Sequence, residues 1–254
     1  MWNYSTEHAQ DFQSLRALII KDLLETEPEN QGYWQQLDIS QSPLHATYEL
    51  LNVNIQLPIP ATQSEAVNAF KPDLPWAEGH FQERVGGLPI NPGDWHDKWP
   101  YHGRSQKLHL RGKIYDHNYM ERMWPKNLLS GYRYGVGDLN DVVKHLAKKE
   151  GSRQAYLPIW FPEDTGAKQD QRVPCTLGYH FLIRGGKLHL FYPMRSCEIY
   201  RHFTNDVYMA ARLAQWVCER LPGDITPGNL TMSIASLHGF YGDREKILSL
   251  ESSQ

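Results

Sequence analysis

Cysteine is scarce in this chain of 254 residues: only Cys175, Cys197 and Cys218 occur, and none stands in a C-x-x-C spacing. An odd count without that spacing leaves no complete disulfide framework and no zinc pattern, so a reducing compartment and no bound metal are expected. Neither sign of charge is in excess, and the formal net charge is −3. Such a balance gives no footprint for duplex nucleic acid or an acidic membrane, so a small ligand is expected rather than a polymer. No hydrophobic run is long enough to span a bilayer, and the start, MWNYSTEHAQ, has no basic region followed by an apolar stretch. These absences predict a cytoplasmic protein without membrane association. Repeats and low-complexity tracts are also missing, and the length suits one domain over residues 1–254.

What is present reads as a mixture of helices and strands. Phe12, Leu15, Ile19 and Leu23 recur at helical spacing and predict a helix over Glu7 to Leu24. ATYELLNVNIQL, from Ala46 to Leu57, reads as a strand closed by Pro58 and Pro60. The stretch from Pro72 to Pro100 is rich in proline and carries Trp76, Trp95 and Trp99, which predicts an irregular, ordered surface or lid segment. Regularity returns at Asp138 to Lys149, where Leu139, Val142, Val143 and Leu146 form one helical face and Asp138 can cap it. Three strands are predicted next, at Ala155 to Phe161, Cys175 to Arg184 and Lys187 to Met194, the last two joined by Gly185-Gly186 as a tight hairpin. A buried helix over Asp206 to Leu221 and a strand over Leu230 to Leu237 complete the pattern. Without strict alternation of strand and helix, this predicts an α+β layer fold.

The run RVPCTLGYHFLIRGGKLHLFYPMRSCEIYRHFTNDVYMAARL, from Arg172 to Leu213, resembles the core of thymidylate synthases and, more closely, of the phage deoxycytidylate hydroxymethylases. SRQA from Ser152 is similar to the family's Ser-Arg-Arg segment, and Ser236-Leu237-His238 matches the hydroxymethylases' Ser-Leu-His. Residues 62–128 match poorly and read as a divergent, lid-like insertion. The resemblance implies a layered fold in which helices pack on a large mixed or antiparallel sheet whose other face forms a homodimer interface. It also implies 5,10-methylenetetrahydrofolate as co-substrate, with a pyrimidine nucleoside monophosphate as substrate.

The chemistry explains the pattern. Carbon 5 of a pyrimidine becomes nucleophilic once a thiolate has added to carbon 6. Cys175 is the residue that matches this nucleophile, and a lone cysteine after a proline otherwise reads as a small buried hydrophobe. In the family the arginine of the Arg-Ser pair favours the thiolate and grips the phosphate, which points to Arg195 and Ser196. FTND puts Asp206 where the synthases carry a base-reading asparagine. A carboxylate there accepts from the cytosine amino group and from a protonated N3, so the implied base is cytosine. An N-cap role for Asn205-Asp206, with a one-residue slip that restores asparagine, is the alternative.

Other positions follow from the same resemblance. Arg153 matches an arginine that reaches the partner's phosphate across the dimer, although Gln154 replaces its usual arginine neighbour. DISQSPLHATYEL offers only Ser40, Ser42 and His45 in place of an early phosphate arginine. His238 matches a residue at the sugar, with Phe240 where a tyrosine is expected. Glu83 is the candidate general acid and base upstream of the nucleophile, with Glu78 as its rival. Tyr132 is read as a site-lining aromatic and Trp124 as a cofactor-side one, and Glu198 replaces the acid expected at the pterin. A loosely closed site favours attack by water on the one-carbon adduct, so 5-hydroxymethylation of a cytidylate is expected, dCMP ahead of CMP. A C5 methylase of dUMP or dCMP, a silent nucleotide-binding relative and a cysteine hydrolase using His180 or His238 are the competing readings.

Overall fold

The computed structural model describes residues 1–34, 37–103, 110–125, 137–165 and 172–250. Among them, ten strands are formed: β1 (Trp2–Ser5), β2 (Tyr33–Trp34), β3 (Leu37–Asp38), β4 (Thr47–Pro58), β5 (Leu110–Arg111), β6 (Ile114–Tyr115), β7 (Tyr156–Pro158), β8 (Gly178–Arg184), β9 (Lys187–Glu198) and β10 (Thr226–Phe240). One six-stranded sheet has the order β1-β4-β10-β9-β8-β7, while β2 pairs with β3 and β5 with β6. The main sheet is mixed: β1 runs parallel to β4 and β9 parallel to β10, and the remaining neighbours are antiparallel. The helices are α1 (Thr6–Ala9), α2 (Phe12–Leu24), α3 (Gln63–Phe70), α4 (Trp76–Val85), α5 (Tyr119–Met123), α6 (Leu139–Lys148), α7 (Phe203–Cys218) and α8 (Arg244–Ser249).

Alternation decides which face of the sheet is covered. Leu50, Val53, Ile55 and Leu57 of β4 are buried, as are Leu188, Leu190, Tyr192 and Met194 of β9, and α7 packs against this side. Burying each such aliphatic side chain contributes about 1.5–3 kcal/mol. On the other side, Tyr156, His180, Phe191 and Thr231 stand in register across β7, β8, β9 and β10, with Tyr156 and Phe191 exposed. Helix α7 is buried along nearly its whole length and is the central packing element.

Several boundaries differ from the sequence reading for local reasons. The first helix is interrupted because Gln10 adopts a positive φ of 62° that no right-handed helix can contain, after which Asp11 restarts α2 by accepting from the Ser14 N–H at 2.8 Å. The proline-rich stretch is not irregular throughout, since α4 occupies its centre with Pro75 at the N-cap. Strand β8 begins at Gly178 rather than Cys175, and a side chain at Gly178 would collide with the Tyr156 hydroxyl. Strand β9 runs on past Met194 to Glu198, and α7 starts three residues earlier than expected, at Phe203. The hairpin forms as read: Gly185 and Gly186 take φ of 56° and 72°, the pair of positive values that a two-residue turn of this hand requires. Asp138 caps α6 through the Asp141 N–H at 3.0 Å.

Candidate active site

The parallel pairing of β9 with β10 sets Ser236 opposite Ser196 and His238 opposite Glu198, so the ends of both strands reach one place. A cavity of about 1030 Å³ lies there, lined also by Cys175, by Asp206 from the first turns of α7, and by one face of α4.

Cys175 enters this cavity because its segment leaves the ladder. Pro174 has no N–H to give a strand, and only Thr176 makes an isolated bridge, to Met194. The Cys175 carbonyl accepts from the Arg195 N–H at 2.9 Å. The Arg195 side chain grips the same segment. Its Nε donates to the Pro174 carbonyl at 2.8 Å, and Nη2 donates to the Val173 carbonyl at 3.1 Å while lying 3.8 Å from Cys175 Sγ. A guanidinium thus holds the cysteine loop and faces its sulfur. Beside it, Ser196 Oγ and His238 Nδ1 stand 3.5 Å apart.

Two carboxyl groups on the cavity wall hold protons unusually tightly. Burial pushes Asp206 up to about 6, offset in part by the Arg84 charge and the Cys197 thiol, whose sulfur lies 3.7 Å away. Burial likewise raises Glu198 to about 7, against the Arg201 charge and the N–H groups of Tyr200 and Arg201. Asp206 does not cap α7, whose N-cap residue is His202. Its neighbour Asn205 is committed elsewhere: Oδ1 accepts from the Asp73 N–H at 3.0 Å, and Nδ2 donates to Asp73 Oδ2 at 2.8 Å and to the Arg201 carbonyl at 3.2 Å.

The third wall comes from α4. Trp76, His80 and Arg84 recur every fourth residue and all line the cavity. The His80 ring stacks on Trp76 at 5.3 Å and 18°, and its Nδ1 meets Glu83 Oε2 at 3.3 Å. Arg84 is 5% exposed, its guanidinium lies 4.1 Å over the Tyr119 ring, and its Nε is buried without a hydrogen-bond partner. Tyr119 in turn accepts from Thr176 Oγ1 at 3.2 Å, next to the cysteine. Trp99 stacks on His202 at 4.8 Å, and the buried indole N–H groups of Trp76 and Trp99 have no acceptor.

The thymidylate synthase family model matches residues 45–250, most of the chain. The chain belongs to the thymidylate synthase family. A thymidylate-synthase homologue of Methanosarcina barkeri (strain Fusaro / DSM 804) is 27% identical over 141 residues, which cover 49% of this chain and 63% of the relative. The thymidylate synthase of Rhizorhabdus wittichii (strain RW1) is 24% identical over 165 residues, covering 62% of this chain and 47% of that one. The match therefore spans less than two thirds of these relatives. The solved structure of thermostable thymidylate synthase A from Bacillus subtilis superposes with a TM-score of 0.68 at 16% identity, covering 96% of this chain and 85% of that chain. The fold is thus that of a thymidylate synthase, a six-stranded mixed sheet packed by helices.

Within this family member, Cys175, Arg195, Ser196, Glu198, Asp206 and His238 meet at one cavity. Three expected residues do not face it. Glu83 sits behind His80 on the flank of α4, where Oε1 accepts from the Trp95 N–H at 3.0 Å and Oε2 faces His80; the cavity is lined by the imidazole and not by the carboxylate. Trp124 is 2% exposed and packed in the core, with Nε1 donating to the Arg84 carbonyl at 2.8 Å, so it braces α4 and does not line the cavity. Arg153 is exposed and lies off this chain's cavity, its carbonyl near His180 Nε2 at 3.0 Å. Tyr132 lies outside the described residues. The rival Glu78 is tied to Arg212 and Tyr208 and belongs to the packing of α4 on α7. His45 lines the cavity, with Ser42 Oγ 2.7 Å from its Nδ1.

The sequence reading missed His80 and Arg84. Their signal was present as the i, i+4, i+8 spacing with Trp76. One His–Asp–His group also occurs, in which ligand atoms of His96, Asp97 and His102 lie within 4.8 Å of one another. Asp97 is 86% exposed there and already faces His102 Nε2 at 3.6 Å, as a solvated pair does. No helix among the described residues is long and apolar enough to cross a membrane.

Proposed function

We propose that this protein is a one-carbon transferase that hydroxymethylates carbon 5 of a cytidine nucleotide, dCMP ahead of CMP, with 5,10-methylenetetrahydrofolate as co-substrate. The observation that carries this reading is Asp206: a cavity carboxyl raised to about 6, beside an asparagine whose amide is fully engaged with Asp73 and Arg201. A carboxyl that readily holds a proton is complementary to neutral cytosine, since one oxygen accepts from the 4-amino group while the O–H donates to N3. As Cys175 Sγ bonds to carbon 6, negative charge builds toward N3, and the proton held at Asp206 neutralises it. Arg195 keeps the sulfur in place through its two carbonyl contacts, and Ser196 with His238 offers hydrogen bonds to phosphate and sugar.

The cavity has residues that fit a pterin. Trp76 and Trp99 present flat rings with unmet indole N–H donors, and Glu198 offers a buried acid. When bound, the folate supplies the methylene carbon that becomes attached to carbon 5. We read the chain as one catalytic domain in which α4, Trp99 and Tyr119 of the divergent insertion help to wall the cavity. The exposed row of Tyr156 and Phe191 supports a homodimer through that sheet face, with Arg153 reaching the partner's nucleotide, in the cytoplasm.

One observation favours a second reading, C5 methylation of a uracil nucleotide. The Arg84 guanidinium sits close enough to Asp206 to stabilise its charge, and a donor beside an ionised carboxylate suits the 4-oxygen and N3–H of uracil. Incubation with methylenetetrahydrofolate and each of dCMP, CMP and dUMP, with products read by mass, separates the two. A hydroxymethyl product from dCMP is expected. Methyl product from dUMP alone would replace the first reading by the second.

A further inference from the structure

Glu83 is a carboxylate with one outlet. Its two oxygens face the Trp95 N–H and His80 Nδ1, and Gly93 lies so close that a Cβ there would stand 2.3 Å from Oε2. Burial opposes its charge, yet the hydrogen bonds from His80 and Trp95 outweigh that and hold it below the usual carboxylate range. An ionised carboxylate only accepts, so Nδ1 of His80 carries the hydrogen and Nε2 bears the lone pair. Burial and the nearby Arg84 charge drop the imidazole to about 4, which keeps that lone pair available at neutral pH.

Position along α4 says what the lone pair meets. Four residues on, Arg84 marks the base-reading end, through its effect on Asp206 and its contact with Tyr119. Four residues back, Trp76 belongs to the aromatic wall assigned above to the pterin, in contact with Trp99 at 5.9 Å. Each step is about 6 Å of helix rise. His80 therefore stands between the end that holds the pyrimidine and the wall that delivers the carbon.

We propose that His80, oriented by Glu83, is the general base that activates water against the methylene carbon attached to pyrimidine carbon 5. This rests on the hydroxymethylase reading. In the step, a water O–H bond breaks and its proton goes to His80 Nε2, while the water oxygen bonds to the exocyclic methylene. The electron pair of the C5–methylene double bond moves into the ring toward position 4. It returns to form the C5–C6 double bond as the C6–S bond to Cys175 breaks, and the sulfur leaves as thiolate. The proton on His80 passes to solvent, so the net change is addition of one water and release of one proton. His80 is the catalytic residue of this step, and Glu83 is a positioning residue.

The test is single-turnover reaction with [5-³H]dCMP and methylenetetrahydrofolate, in which tritium release and hydroxymethyl product are measured in the same sample. Their ratio is independent of how much enzyme is folded. For His80→Gln the ratio of product to tritium is expected to fall about 100-fold, the scale of general-base catalysis. Glu83→Gln keeps an acceptor for Nδ1 and is expected to lower the ratio about 10-fold. A wild-type ratio in His80→Gln overturns the proposal. Loss of tritium release in the wild-type protein with every pyrimidine nucleotide overturns the underlying reading of the site instead, and is seen before any variant is made.

Discussion

Arg195 Nη2 lies 3.8 Å from Cys175 Sγ, and the same guanidinium binds the carbonyls of the two residues that precede the cysteine. One side chain thus shapes the loop and faces the sulfur. Arg195→Lys keeps the charge but replaces a planar fork by a single ammonium that cannot hold both carbonyls and the sulfur together. Tritium release from [5-³H]dCMP is expected to fall at least about 100-fold in Arg195→Lys and to vanish in Cys175→Ala. Release at the wild-type rate in Cys175→Ala would remove the cysteine from the mechanism.

Asp206→Asn should turn the base preference toward uracil, because an amide donates to the 4-oxygen and accepts from N3–H. With the wild-type residue, KM for dCMP should fall as pH drops from about 7 through 6, where the carboxyl gains the proton that N3 accepts. Asp206→Asn should flatten that dependence. An unchanged ratio of kcat/KM for dCMP and dUMP would refute the base-reading role.

Stability carries a related signature. Asp206 and Glu198 are raised from 3.8 and 4.5 to about 6 and about 7, so between pH 4 and 7 the folded chain binds more protons than the unfolded one. Their contribution is fully present below pH 4 and is lost as pH rises through the folded values. For Asp206 the loss amounts to roughly 2–3 kcal/mol at most. Denaturant unfolding at a series of pH values should show a shallower fall in Asp206→Asn than in the wild type. Parallel curves would mean that Asp206 titrates normally.

Arg84 is a buried cation that closes no ion pair within 4 Å among the described residues and acts on Asp206 only at longer range, so its desolvation is poorly compensated. Arg84→Met should therefore stabilise the fold by about 1–3 kcal/mol while lowering turnover. Thermal unfolding and tritium release on the same preparation test both halves. A lower Tm would show that the guanidinium serves packing over Tyr119 instead.

Much of this was written locally in the chain. Gly185-Gly186 announces its turn because few other residues tolerate two successive positive φ values. The apolar stripe of α6 and the Asp138 cap likewise depend only on near neighbours. The cysteine, Arg195 and Asp206 were legible as a spaced pattern. Helix α4 was hidden because Pro72, Pro75, Pro89 and Pro92 crowd around it and because part of its inward face is polar: His80 and Arg84 are turned to a cavity, which removes the usual apolar periodicity. The orientation of Glu83 was beyond reach for a different reason. It depends on the Gly93–Trp95 backbone folding back over the carboxylate, a contact between segments that no spacing records.

The bonds between Asn205 and Asp73 have a mechanical meaning. Asn205 is adjacent to Asp206, and Asp73 stands three residues before α4, so backbone and side-chain bonds fasten the start of one cavity helix to the approach of the other. The position of Asp206 and that of the helix carrying His80 and Arg84 are therefore fixed relative to one another. Two walls of the cavity are thus set by one joint, with Asn205 as its rivet.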